Sequence, residues 1–100
     1  MNVLKLADGA SSAGVQVTLK RVGNTDESVT AAIVQAVITD TATVALEGSL
    51  DGTNWFPITS FSSSDLVEMS VPVWVRGNVT SYSAGTVTLS AQLPGRWSTV

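Results

Sequence analysis

Residues 43–58 read TVALEGSLDGTNWFPI. In the first half Val44, Leu46, Gly48 and Leu50 alternate with Thr43, Ala45, Glu47 and Ser49. A period of two marks a strand with one buried and one wetted face. Asp51-Gly52 then interrupts it with the residue pair that best tolerates the positive φ of tight hairpins. Thr53 and Asn54 lengthen the loop, and Trp55, Phe56 and Ile58 resume with large apolar groups. Strand, turn, strand is the corner of an antiparallel sheet. In this reading Asp51 and Gly52 shape the turn and Trp55 anchors the strand that follows.

The same period extends in both directions. Val15, Val17 and Leu19 alternate with Gln16, Thr18 and Lys20. Val73, Val75, Gly77 and Val79 alternate with Trp74, Arg76, Asn78 and Thr80, and Val87, Leu89, Ala91 and Leu93 with Thr86, Thr88, Ser90 and Gln92. Turn compositions separate these runs at residues 23–26, 51–54, 62–65 and 81–85. Strands are expected near 14–22, 30–39, 42–50, 55–61, 66–71, 73–80 and 86–93. The fold class is therefore all-β: a single antiparallel sandwich, jelly-roll-like, of seven to eight strands. Residues 28–38, SVTAAIVQAVI, also place Val29, Ile33, Ala36 and Val37 near helical spacing, but five β-branched residues from Val29 to Val37 favour a strand. Residues 1–13 are read as an N-terminal arm, 14–93 as the domain and 94–100 as a C-terminal tail. Val44, Leu46, Val73, Val75, Val87 and Leu89 are expected to face the core.

At 100 residues the chain holds one core. Charged residues make up 13%, about half the usual quarter, and Ser and Thr take their place. Such a surface repels neighbours weakly and suits a protein that sits against others. The net charge of −3 with scattered basic residues offers no footprint for nucleic acid. The chain has no cysteine and no histidine, which removes thiolate chemistry and the commonest general base and metal ligand. No cofactor, no small-molecule substrate and no enzymatic activity are expected. No apolar run approaches the ~20 residues of a membrane span, and the N-terminus lacks a signal-peptide pattern, so synthesis in the cytoplasm is expected.

Two groupings remain as binding candidates. Trp74 and Arg76 share one strand face, away from the valines, where they are positioned for a cation–π pair; Trp and Arg are also residue types enriched in hot spots. Arg96 and Trp97 lie in the short polar tail, with no obvious core for the indole. Trp55, Phe56 and Trp74 together raise the alternative of a sugar-stacking platform. The carboxylates Asp26, Glu27, Asp40, Glu47, Asp51, Asp65 and Glu68 match no calcium-loop spacing and read as turn and rim groups.

The run Thr43–Trp55, with Val73–Thr80 and the closing Gly85–Leu89, resembles the small β-sandwich virion proteins of tailed bacteriophages. In these a V-x-L-E-G-S-x-D-G-x-x-W corner precedes a V-R-x-x-V-T strand and a last G-T-V-T strand. The resemblance covers about Gly14 to Leu93. It implies a capsid decoration (cement) protein on the virion surface, with the major capsid protein and its own copies, as a homotrimer, for partners. A neck or tail component is the alternative within the same resemblance, and a carbohydrate-binding module the alternative outside it. Trp74 and Arg76 would then meet a neighbouring subunit, and Arg96 and Trp97 the shell.

Overall fold

A computed structural model describes residues 2–22 and 30–100. The turn expected at 23–26, residues 28–29 of the ambiguous segment, and Asp26 and Glu27 lie outside them. Among the described residues nine strands follow in order: β1 Asn2–Ala10, β2 Gly14–Val22, β3 Thr30–Ile38, β4 Thr41–Ser49, β5 Phe56–Phe61, β6 Asp65–Val71, β7 Trp74–Ala84, β8 Val87–Leu93 and β9 Arg96–Thr99. They form a four-stranded sheet, β1-β8-β3-β6, and a five-stranded sheet, β5-β4-β7-β2-β9. First pairs with eighth, second with seventh, third with sixth and fourth with fifth, all antiparallel. That nested pairing is jelly-roll topology, and β9 extends it along β2.

The two strands beyond the expected seven are the segments read as arm and tail. In β1 two residues oppose one of β8 between Lys5 and Ala7. The slip turns consecutive residues inward, so Leu6 and Ala7 are both fully buried and the period of two is broken. β9 is four residues long with one apolar side chain, too short to show a period. Residues 30–38 are a strand, with Ala32, Val34 and Ala36 inward. Pairing on both sides, with β6 and β8, outweighs the modest helix preference of its alanines.

The core is the space between the sheets. Val44, Leu46, Val75, Val87 and Leu89 are buried there as expected. Val73 is not: it is 36% exposed and precedes β7. The chain crosses from one sheet to the other through Pro72 and Val73, beyond the last core layer, and the Val73 carbonyl accepts the Arg21 N–H at 2.8 Å. In β2 a register slip between Val15 and Thr18 leaves Val15 exposed and only Leu19 fully inside. Gly77 on β7 lies against Leu6 of β1. A Cβ there would lie 2.6 Å from the Leu6 carbonyl oxygen, so any side chain would wedge the sheets apart.

Candidate functional site

The corner after β4 is held by its own side chains. Ser49 Oγ donates to Asp51 Oδ1 at 2.9 Å and accepts the N–H groups of Asp51 and Gly52. Asp51 Oδ1 accepts the N–H groups of Thr53 and Asn54 at 2.8 and 2.9 Å, and Oδ2 accepts the Asn54 amide at 2.8 Å. The backbone donors of Asn54 and Thr53, then the side chains of Asn54 and Ser49, hold the Asp51 carboxyl well below the usual carboxylate range. Gly52 takes φ +76° and lies against Trp74: a Cβ would meet ring atoms Cε2 and Cζ2 at 2.8 Å. Both carboxylate oxygens thus serve the turn, while of the Asp51-Gly52 pair only Gly52 takes the positive φ.

Trp55 and Trp74 meet edge to face, with centroids 6.3 Å apart and planes at 88°. The expected stacking of Arg76 on Trp74 is replaced by a crossed arrangement. The Arg76 guanidinium lies 4.3 Å over Trp55, and Lys20 Nζ lies 5.1 Å over Trp74. The reason is register. Lys20 is the direct cross-strand partner of Trp74, and the corner returns Trp55 beside Arg76. Glu47, opposite Arg76, accepts its Nε–H at 2.7 Å and the Asn78 amide at 3.2 Å. The result is a ladder of Lys20, Trp74, Trp55, Arg76 and Glu47 on the outer face of the five-stranded sheet, its rings and cations engaged with one another.

Arg96 and Trp97 sit on β9, past Lys20, and point to opposite faces. Arg96 is exposed, whereas Trp97, expected free for a neighbour, packs against the chain's own core and donates its indole N–H to Pro94 O at 2.9 Å. The Pro94-Gly95 turn carries the chain back over the sandwich edge, and pairing with β2 brings the indole inward. The structure therefore joins Trp74, Arg76, Asp51, Gly52 and Trp55 in one cluster and leaves the β9 pair apart from it.

Two surfaces escaped the sequence reading. At the end of the sandwich a groove of about 500 Å³ runs between the corner and the start of β5, lined by Gly48, Leu50, Phe56, Pro57, Ile58 and Pro72. Leu50 and Phe56 are 81% and 68% exposed there. The other is the outer face of the four-stranded sheet. Val3, Ile33, Val37 and Leu66 stand exposed among Gln35, Ser90 and Gln92. A signal for it exists in β3, which points Ala32 and Ala36 inward and the larger Ile33 and Val37 outward, the reverse of an ordinary half-buried strand. Among the described residues no three carboxylates gather as a metal-binding group. No protein-family model, no curated protein and no solved structure matches the chain.

Proposed function

We propose that this chain is a structural virion protein, a decoration protein that binds the outside of a phage head as a homotrimer. The observation that carries the reading is the outer face of the four-stranded sheet. There Val3 and Leu66 are 65% and 61% exposed beside Ile33 and Val37, with Gln35, Ser90 and Gln92 among them and a single carboxylate, Glu68, opposite Ile33 at the β6 edge. A flat apolar face of this kind on a small sandwich is a contact surface. Specific interfaces hide on the order of 800 Å² per partner, and closed symmetry would bury such a face against its own copies or the shell. The β4 corner with β7 and β8, whose residues carry the phage resemblance, supports the virion assignment. Repeated shell sites would raise avidity by ~10²–10⁴ without new contacts.

The crossed ladder favours packing over sugar binding, because Trp55 and Trp74 are engaged by Arg76, Lys20 and Gly52. The test is solution mass followed by co-sedimentation with shells of the phage whose genome carries the gene, for wild type, Ile33→Glu and Leu66→Glu. Both substitutions lie on exposed positions, so folding persists while trimerisation or pelleting is lost. A wild-type monomer that never pellets refutes the proposal. A ring that leaves shells unbound selects a neck or tail component, and retention on immobilised glycans selects the carbohydrate-binding module.

A further inference from the structure

The sandwich has four sheet edges, and three are guarded against pairing with another chain. β5 contains Pro57 and a register slip against β4. β1 contains Lys5 and two slips, and β9 is only four residues long. β6 differs. It runs seven residues, DLVEMSV, with no proline, glycine or lysine, in unbroken register with β3 from Thr30↔Val71 to Ala36↔Asp65. Its only deterrent is negative charge. Asp65 and Glu68 form no ion pair among the described residues, and the cross-strand neighbour of Glu68 is Ile33. Acidic groups along an edge repel a second copy of the same edge and any acidic strand, but they attract a basic one. At its Val71 end β6 runs into Pro72, which walls the apolar groove together with Phe56 and Ile58.

From this combination we infer that β6 and the groove form one acceptor site for an extended segment of another protein. The incoming strand pairs antiparallel to β6, with a Lys or Arg opposite Glu68 and an apolar anchor in the groove. Glu68 and Pro72 are four positions apart, so the anchor precedes the basic residue by about four residues, or ~14 Å of strand. Backbone hydrogen bonds supply affinity, and the groove with the carboxylates supplies selection, as in other strand-addition complexes. Among the described residues the edge is open whether or not the chain binds shells, so shell binding and strand addition can fail separately.

The probe is the synthetic peptide acetyl-LTVTKVT-amide, titrated to millimolar concentration into the isotope-labelled full chain and followed by amide chemical shifts. Two control peptides are used: one with Glu in place of Lys, one N-methylated on alternate amides. Expected shifts are confined to β6 and to Leu50, Phe56, Ile58 and their neighbours. N-methylation should weaken binding at least about tenfold, since several hydrogen bonds are lost together. The Glu peptide should bind about threefold more weakly, and Glu68→Lys should reverse the preference between the two. Equal binding of the N-methylated peptide, shifts centred elsewhere, or no binding would overturn the inference. So would a wild-type dimer closed through β6.

Discussion

Substituting Gly52 by Ala tests whether the corner and the aromatic ladder form one unit. An alanine at φ +76° carries a backbone cost of about 1–2 kcal/mol. Its Cβ would also stand 2.8 Å from Trp74 Cε2 and Cζ2, well inside the 3.4 Å at which ordinary contact begins. Trp74 would have to move, losing an edge-to-face pair with Trp55 worth about 0.5–1.5 kcal/mol and a Lys20 contact worth about 0.5–1 kcal/mol. Together these cost about 2–4.5 kcal/mol, or a melting temperature lowered by more than about 8 °C in a domain of this size. Urea denaturation of wild type, Gly52→Ala, Trp74→Ala and the double variant separates the two parts. With the indole absent only the backbone cost remains, so the cycle should show a coupling of about 1–2 kcal/mol. Additivity within about 0.3 kcal/mol would refute the steric account, and a Gly52→Ala variant as stable as wild type would refute the turn as well.

Leu46, fully inside the sandwich, should cost roughly 2–5 kcal/mol when cut to Ala, read by chemical denaturation; a loss well under 1 kcal/mol would contradict its place in the core. Gly77→Ala should destabilise by about 1–3 kcal/mol, because its Cβ falls about 0.8 Å short of the 3.4 Å needed from the Leu6 carbonyl oxygen; a neutral effect in thermal melts would mean the sheets separate freely. The folded-state pKa of Asp51 lies below its unfolded value, so its contribution is complete above about pH 4 and is lost as pH falls toward the lowered value. The stability difference between wild type and Asp51→Asn, measured in urea from pH 7 to pH 2, should therefore shrink on acidification; a constant difference would show that the carboxylate's charge has no part in the turn.

What the sequence determined by itself was local. Alternation in β4, β7 and β8 and the turn preference of Asp51 and Gly52 depend on neighbours within a few positions, so both strand class and corner were legible there, although the part of Ser49 in the turn was not. The buried pair Leu6 and Ala7 was not, because a bulge against β8 turns both inward and only the pairing partner creates it. Likewise Trp97 packs against the core only once β9 is laid along β2, and Val73 leaves it only because the chain changes sheets at Pro72. The exchange of partners among Lys20, Trp55, Trp74 and Arg76 required three strands and a turn to converge at one register. Exposure of Ile33, Leu66 and the β6 edge was decided by strand order alone. A strand's sequence shows that it has two faces and two sides, but which of them another strand covers is a property of the assembled sheets.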